Sequence, residues 1–221
     1  MRVIIGGFGP FPGAPFNPSG VLARRLARRR RPAFASLTRH AHVFATSYAA
    51  VDRDLPALFA EEPEIALLFG LAARRRHVCV ETRARNAVSV LFPDASRYRP
   101  ADAIITHGGA NACYGRAPFA RLVGAIRTAK VPARASRDAG RYLCNYVYWR
   151  ALEHANGRGS NSHGLNNQGP LVVFVHIPTI SHKPRPRRRP NQRNKHRPLS
   201  FANLAAAAER LLIALTAASR R

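Results

Sequence analysis

"LVVFVHIP", residues 171–178, is the stretch that decides the fold. It is an unbroken apolar run, rich in β-branched valine, and it ends in His176 and a proline. A continuous apolar run of this length is typical of a strand that is buried on both faces of a sheet. Two more runs of this kind, "RVIIG" at 2–6 and "EIALLFG" at 64–70, also predict buried strands. The sequence therefore predicts a sheet that is covered on both sides.

Helical patterns separate these strands from several weaker ones. Further strands are predicted at 37–46, 76–82 and 131–136, and helices at 19–29, 51–60, 117–130 and 200–219, with one more helix that carries Cys144. Asn17 or Ser19 is the expected cap of the first helix. Because strands alternate with helices, the predicted fold class is α/β: a mostly parallel, twisted sheet with helices on both faces.

The chain is expected to form a single domain over residues 1–221. Its residues are 46% hydrophobic, which suits one domain with a substantial core. Residues 154–170 are rich in Gly, Asn and Ser and predict a flexible loop, and residues 182–198 predict a basic, Pro-rich loop. The helix at 200–219 has a serine cap and an amphipathic pattern.

The composition also predicts a compartment. The apolar runs are shorter than a bilayer-spanning helix requires, so no membrane association is expected. The N-terminal "MRVIIGGFGPFPG" lacks the longer apolar region and small-residue cleavage site of a secretory signal. Cys79, Cys113 and Cys144 form neither a C-x-x-C pair nor an even disulfide framework. These features predict a cytoplasmic protein in a reducing environment.

The formal net charge is +25, and almost all of the positive charge is arginine. Such a balance favours non-specific contact with nucleic acid and other polyanions. The arginine runs at 28–31, 74–76 and 185–189 do not belong to an RNA-recognition motif, a zinc finger or a basic zipper. Nucleic acid is therefore expected to bind only non-specifically, if at all. A protein that binds a polyanion through these runs is the alternative function.

A metal site is the less favoured alternative. The candidate ligands Cys79, Cys113 and His107 are far apart and irregularly spaced, and the chain has no H-E-x-x-H or C-x-x-C motif. We therefore expect no metal and no cofactor.

Cys144 lies at the junction of a turn and a helix in "AGRYLCNYVYWRALEHA", residues 139–155. A thiol at a helix start is close to unpaired backbone N–H groups and to the positive end of the helix dipole. Both lower a thiol pKa and favour the nucleophilic thiolate. The alternative is a small buried hydrophobic residue, which is the commoner role of a free cysteine.

A cysteine nucleophile also needs a base and a group that orients the base. His176 is the candidate base because it ends a buried strand. Glu81 is the candidate orienting carboxylate because it closes the strand at 76–82, whose carboxyl end is expected at the same edge of the sheet. The alternatives are a structural histidine, and a glutamate that is solvated or ion-paired with Arg83 or Arg85.

Four motifs resemble the pyroglutamyl peptidase I family, also called pyrrolidone-carboxylate peptidases. They are "GGFGPFPGAPFNPS" at 6–19, "CVETRARN" at 79–86, "SRDAGRYLCNYVYWRAL" at 136–152 and "FVHIP" at 174–178. Their order and approximate spacing are those of the family. The resemblance implies a three-layer α/β/α sandwich and a cytoplasmic cysteine exopeptidase that removes N-terminal pyroglutamate from peptides without a metal.

The resemblance also implies the role of each site residue. Cys144 is the nucleophile, His176 the general acid and base, and Glu81 the orienting carboxylate. Phe8 and Phe11 match aromatic positions of the family and are expected to hold the flat pyroglutamyl ring, together with Leu143; loop-to-core packing is the alternative for the phenylalanines. Asn17 and Asn145 are interpreted as structural. Family members often form tetramers, so the assembly expected by resemblance is a homotetramer.

Two positions depart from the family pattern. Leu71 stands where the resemblance leads us to expect glutamine, and Leu91 stands where the family usually has an arginine near the oxyanion. Arg83 or Arg85 is the candidate substitute for the missing arginine. The expected consequence is an intact triad with altered efficiency or substrate preference.

Overall fold

The computed structural model describes residues 1–11, 13–159, 169–180 and 199–220. The strands are β1 Arg2–Phe8, β2 Thr38–Phe44, β3 Ile65–Leu71, β4 Val78–Glu81, β5 Arg83–Arg85, β6 Ala112–Tyr114, β7 Ala133–Ser136 and β8 Leu171–Ile177. The α-helices are α1 Pro18–Arg28, α2 Tyr48–Ala60, α3 Phe119–Thr128, α4 Leu143–Gly159 and α5 Phe201–Ser219. Every strand and helix predicted from the sequence is present, with bounds that differ by a few residues.

Six strands form the main sheet in the order β2-β1-β3-β8-β4-β7. The strands β2, β1, β3 and β8 are mutually parallel, whereas β4 pairs with β8 in the antiparallel sense. β7 is parallel to β4. The expectation that the end of the strand at 76–82 shares an edge with the other strand ends was therefore wrong. β4 runs the opposite way, and Glu81 lies across from Phe174 rather than beyond the end of β8.

Alternate residues of each strand face two different layers of helices. On β8, Val173, Val175 and Ile177 join the core packed by α1, α3 and α5. Val172 and Phe174 join the core packed by α2 and α4. This alternation is the period of two of a β-strand, with both faces buried. The predicted α/β class, with helices on both faces of a mostly parallel sheet, is confirmed.

The first βα connection packs unusually close to the sheet. The Asn17 side chain caps α1 by accepting a hydrogen bond from the Ser19 N–H (3.1 Å). The Ser19 hydroxyl in turn accepts a hydrogen bond from the Phe8 N–H (3.0 Å). A Cβ atom at Gly7 would lie 2.4 Å from the Ser19 carbonyl oxygen. The start of α1 therefore rests directly on the backbone of β1, and Asn17 is the structural cap.

Several local expectations differ from the structure. α2 begins at Tyr48 rather than 51, because the Ser47 hydroxyl caps it by accepting from the Ala50 N–H. The small antiparallel sheet of β5 and β6 was not predicted, because its strands have only three residues each. α4 continues to Gly159, so residues 154–159, which were expected to lie in a loop, belong to the helix. Residues 160–168 and the basic stretch 182–198 lie outside the described residues.

α5 is long and apolar enough to cross a bilayer by length and composition alone, with a mean hydropathy of 1.4 over 18 residues. The apolar runs considered from the sequence are uninterrupted ones, and polar residues such as Glu209 and Arg210 divide those of α5 into short segments. Half of that window is buried inside the protein. Leu204, Leu211 and Leu215 are core residues on the same side of the sheet as α1 and α3. The apolar character of α5 is therefore accounted for by packing.

We expect Gly7→Ala to lower the free energy of unfolding by at least about 2 kcal/mol, because the added methyl group meets backbone atoms that cannot move aside. Gly124→Ala is the matched control. Gly124 lies inside α3 with open space at its Cβ position, so alanine there should raise the free energy of unfolding by about 0.5–1 kcal/mol. Urea denaturation of both variants measures the two effects. Equal stability of Gly7→Ala and the parent would contradict the close packing of α1 on β1.

Candidate active site

His176 and Glu81 meet on the face of the sheet that is covered by α2 and α4. Glu81 is directly opposite Phe174 in the antiparallel pair, so His176 is its diagonal neighbour on the same face. The long glutamate side chain spans this diagonal, and its Oε1 lies 2.8 Å from His176 Nδ1. Both side chains are buried, with exposed fractions of 0% for Glu81 and 7% for His176. The antiparallel direction of β4 thus places the carboxylate beside the imidazole.

The contact at Nδ1 leaves His176 Nε2 as the nitrogen available to a reacting group. Burial of the ring would lower the pKa of His176, but the neighbouring Cys144 thiol and the Glu81 carboxylate raise it to about 9. An imidazole with this pKa is mostly protonated at neutral pH. The Phe174 ring meets the imidazole edge-on, with 5.0 Å between ring centroids. The contacts with Glu81 and Phe174 therefore fix the orientation of His176, and its raised pKa favours the protonated ring.

Cys144 lies in the first turn of α4. The hydrogen bond from the Tyr146 N–H to the Tyr142 carbonyl (3.0 Å) opens the helix, so Cys144 precedes the first N–H of the helical ladder. Its side chain packs over β3, because a Cβ atom at Gly70 would come within 2.7 Å of Cys144 Sγ. Gly70 pairs in register with His176. The thiol therefore sits above the strand next to the imidazole.

The Asn145 side chain fixes the start of α4 to the segment after β4. Asn145 Nδ2 donates to the carbonyl groups of Arg85 (2.8 Å) and Ala87 (2.9 Å), and Asn145 Oδ1 accepts from the Arg85 N–H (2.8 Å). Asn145 is fully buried. These contacts give it the structural role that the sequence predicted for it.

The cation beside Glu81 is Arg75. Arg75 Nη1 donates to Glu81 Oε1 at 2.6 Å. The two arginines considered from the sequence have other partners: Arg83 Nε donates to the Arg137 carbonyl (3.0 Å), and Arg85 Nη2 lies 3.7 Å from Asp138 Oδ1. The alternative considered for Glu81, a solvated side chain or an ion pair with Arg83 or Arg85, is therefore not what the structure shows. Neither arginine is free of protein partners to replace the one missing at Leu91.

Sequence reasoning missed three residues of this site. Arg75 was treated as one of a run of surface arginines, although a carboxylate in an apolar strand signals that a cation must approach it. Gly70 was treated only as the end of a strand. Tyr148 is buried on α4, and its hydroxyl donates to the Glu81 backbone carbonyl (2.9 Å). Tyr148 lies four residues after Cys144, the spacing that places two side chains on one helix face.

The expected ring-binding residues lie in two environments. Phe8 and Leu143 are core residues on the α2/α4 side, with exposed fractions of 4% and 1%. The Phe8 ring packs against Phe44, with 5.8 Å between ring centroids. Phe11 is partly exposed in the loop after β1, where its backbone bridges to Ala14. Of the three, Phe11 therefore has the most surface for a ligand.

The two positions that depart from the family pattern are both partly or largely accessible. Leu71 ends β3 and pairs with Ile177, the residue after His176. Leu91 is 72% exposed, and its N–H donates to the Ser89 hydroxyl. Both leucines lie outside the hydrogen-bonded group formed by His176, Glu81 and Arg75.

The arginine runs have mixed roles. Arg29 and Arg31 both pair with Glu209 of α5, at 2.9 and 2.6 Å, and Arg75 pairs with Glu81. The run at 185–189 lies outside the described residues. Nucleic-acid binding by the exposed arginines stays a prediction.

The candidate metal ligands are not gathered together. Cys79 is buried in β4, Cys113 lies on β6, and the exposed His107 pairs with Asp102. Within the described ranges, no group of three or more His, Cys, Asp or Glu side chains is arranged to hold a metal ion.

Comparison with known proteins identifies the family. The sequence profile named "Pyroglutamyl peptidase" matches residues 1–216. The chain belongs to the pyroglutamyl peptidase family. It is 33% identical over 191 residues to the pyrrolidone-carboxylate peptidase of Thermococcus onnurineus, which covers 84% of this chain and 90% of the relative. The family resemblance and the class of enzyme expected from the sequence are confirmed.

Solved structures of the family share the fold. Pyroglutamyl peptidase I of Bacillus amyloliquefaciens aligns with a TM-score of 0.76 and 26% identity, over 100% of this chain and 97% of that one. A mutant pyrrolidone carboxyl peptidase from Pyrococcus furiosus aligns with a TM-score of 0.80 and 23% identity, over 99% and 100%. The α/β/α fold of this pyroglutamyl peptidase family member is thus that of its relatives.

We expect Gly70→Ala to slow the reaction of Cys144 with iodoacetamide, because the added methyl group would occupy the space of the thiol and of the Phe174 ring, each at 2.7 Å. The modification rate, followed by mass spectrometry of the peptide that contains Cys144, measures the effect. Gly124→Ala again serves as the control and should react at the parent rate. An unchanged rate in Gly70→Ala would show that Cys144 does not rest on β3.

We expect Cys144→Ala to lower the pKa of His176 from about 9, because Cys144 is a main cause of the raised value. Titration of the histidine ring resonances by NMR measures it, with His176→Asn identifying the signal. Cys113→Ala is the control and should leave the pKa of His176 unchanged, since Cys113 is not among its causes. A pKa that stays near 9 without Cys144 would contradict the pairing of thiol and imidazole.

Proposed function

We propose that the protein is a cysteine exopeptidase that removes N-terminal pyroglutamate from peptides, with Cys144 as nucleophile, His176 as general acid and base, and Glu81 as orienting carboxylate. The observation that carries the proposal is the buried imidazole held between two groups. Glu81 Oε1 lies 2.8 Å from Nδ1, and Cys144 contributes to raising the pKa of the ring to about 9. An imidazole beside a thiol can take its proton, and the thiolate is the reactive form of cysteine.

In the first half of the reaction, the Cys144 thiolate attacks the carbonyl carbon that joins pyroglutamate to the next residue. A C–S bond forms, and the carbonyl oxygen becomes an oxyanion. The N–H of Cys144, in the first turn of α4, is a donor suited to that oxyanion. The His176 imidazolium gives its Nε2 proton to the leaving amine, and the C–N bond breaks. The products are a thioester and a peptide shortened by one residue.

In the second half, water replaces the peptide. The neutral His176 imidazole takes a proton from water as the water attacks the thioester carbonyl. The C–S bond then breaks, which releases pyroglutamate and restores the thiolate–imidazolium pair. Glu81 holds Nδ1–H throughout, so that Nε2 stays directed at the reacting atoms.

The substrate class follows from the family and from the loop after β1. Pyroglutamate is a flat, uncharged lactam that fits a pocket with apolar walls. Phe11 is the proposed wall for the ring, and Phe8 and Leu143 are proposed to contribute from the core on the α2/α4 side. The relatives' name and the family assignment favour pyroglutamyl peptides as substrates. The three free cysteines fit a reducing, cytoplasmic location.

We expect purified protein to release a fluorogenic amine from its pyroglutamyl amide. Cys144→Ser should lower kcat/KM by at least about 1000-fold, because the nucleophile is lost. Glu81→Gln should cost about one to two orders of magnitude less, because an orienting group contributes less than the nucleophile. Fluorescence assays of the folded variants measure both effects.

Cys113→Ser is the matched control for the thiol. Cys113 is also a half-buried free cysteine, but it lies on β6 and outside the site. The proposal requires that iodoacetamide inactivates the parent and Cys113→Ser alike. Full activity of Cys144→Ser, or no cleavage of any pyroglutamyl amide by folded parent protein, would refute it.

A further inference from the structure

Arg75 joins the two halves of the candidate site. Arg75 Nη1 donates to Glu81 Oε1 at 2.6 Å, and Arg75 Nη2 donates to the Asp138 backbone carbonyl at 2.6 Å. Glu81 is the carboxylate that holds His176. Asp138 lies in the turn between β7 and α4, and this turn leads into the helix start that carries Cys144. One guanidinium group therefore contacts both Glu81, which holds the base, and the turn that leads to the nucleophile.

The backbone around Arg75 is hydrogen-bonded to the end of β8, next to His176. The Arg75 N–H donates to the Ala72 carbonyl (2.9 Å), and the Ala72 N–H donates to the carbonyl of Ile177 (2.9 Å), the residue after His176. The turn at 136–140 is closed by its own bonds, from the Asp138 N–H to Ser136 Oγ (3.2 Å) and from the Gly140 N–H to Asp138 Oδ1 (3.1 Å). Arg75 thus bridges two small, internally braced turns.

The charge of Arg75 also bears on His176, because both donate to the same carboxylate oxygen. Glu81 Oε1 accepts from Arg75 and from His176, whereas Glu81 Oε2 is buried and has no hydrogen-bond partner among the residues that the structure describes. Two cysteines also lie near the imidazole. Cys144 approaches it from α4, and Cys79 is the residue of β4 that pairs with His176 of β8. Cys79 in turn interacts with Arg75.

We propose that Arg75 is a positioning residue, which acts through Glu81 and the Asp138 carbonyl to hold the base and the nucleophile in register. This inference rests on the function proposed above. A second cation at Glu81 Oε1 weakens the hold of the carboxylate on the imidazolium and so moderates the basicity of His176. A moderated base gives up its proton more readily to the leaving amine. The fork of the guanidinium is needed because one group must reach two acceptors in different directions.

The first test measures the ring of His176 without any substrate. In a Cys144→Ala background, Arg75→Met should raise the pKa of His176 by about one unit, because a cation near the ring and its carboxylate is removed. Arg75→Lys should leave the pKa near the background value, since the charge is retained. Arg76→Met is the control: Arg76 is exposed on the same loop, so the same loss of charge should leave the pKa unchanged. NMR titration of the ring resonances gives all three values.

A double-mutant cycle separates action through Glu81 from a general charge effect. With Glu81→Gln in the same background, the shift caused by Arg75→Met should shrink to less than half. An equal shift with and without Glu81, or an equal shift in Arg76→Met, would overturn the inference. If Arg75→Met does not fold, as judged by circular dichroism, Arg75→Gln replaces it in the cycle, because glutamine also removes the charge.

The second test addresses the bond to Asp138. With Cys144 intact, Arg75→Lys should reduce kcat about 10-fold or more while KM changes little, because an ammonium group cannot reach both acceptors. Reaction of Cys144 with iodoacetamide should slow in parallel. Unchanged kcat and alkylation in Arg75→Lys would show that the second contact is not needed.

The two proposals fail in different ways. If the His176 titrations follow the expected pattern but no pyroglutamyl amide is cleaved, the function fails and the role of Arg75 at the base stands. If the amide is cleaved and the pKa of His176 does not respond to Arg75, only the role of Arg75 fails.

Discussion

The buried carboxylate of Glu81 is the constraint on which the site depends. A carboxylate with no exposed surface is stable only if cations or donors replace the water it has lost. His176 and Arg75 supply them at the same oxygen, at 2.8 and 2.6 Å. The Tyr148 hydroxyl donates to the Glu81 backbone carbonyl, so both the backbone and the side chain of Glu81 are held in place. The Glu81 carboxylate therefore orients the imidazole and holds the loop before β4 through Arg75. The Glu81 backbone also anchors α4 on the sheet through Tyr148.

The direction of β4 explains why the acidic residue is a glutamate. In a fully parallel sheet, His176 and a carboxylate at the end of β4 would both lie beyond the same edge. Here β4 is antiparallel to β8, and Glu81 is paired with Phe174, two residues before His176. Diagonal neighbours of this kind are about 7–8 Å apart at the backbone, within reach of long side chains. A glutamate spans that distance, whereas an aspartate is one methylene shorter.

The features predicted correctly from the sequence are those that depend on local residue patterns. The apolar runs at 2–6, 64–70 and 171–178 became β1, β3 and β8, and Asn17 caps α1 as one of its two candidates. Cys144 was expected at a helix start and lies in the first turn of α4. Strand direction was not predictable, because the three apolar residues of β4 that precede Glu81 can pair with a neighbouring strand in either direction. The partner of Glu81 was not predictable either, because it depends on how the loop before β4 folds back onto the strand.

Arginine content alone is therefore a poor guide to what any one arginine does. With 36 basic and 11 acidic residues, most cations of this chain cannot find a carboxylate, so a run such as 74–76 reads as solvated surface. Arg75 differs from its neighbours only through its partner. Glu81 is wholly buried, and a cation that reaches a buried carboxylate is retained there by the desolvation cost of leaving it unpaired. Arg29 and Arg31 obey the same rule, since both pair with the nearly buried Glu209. In a chain with such an excess of arginine, the buried Glu81 and Glu209 determine which arginines form these buried ion pairs.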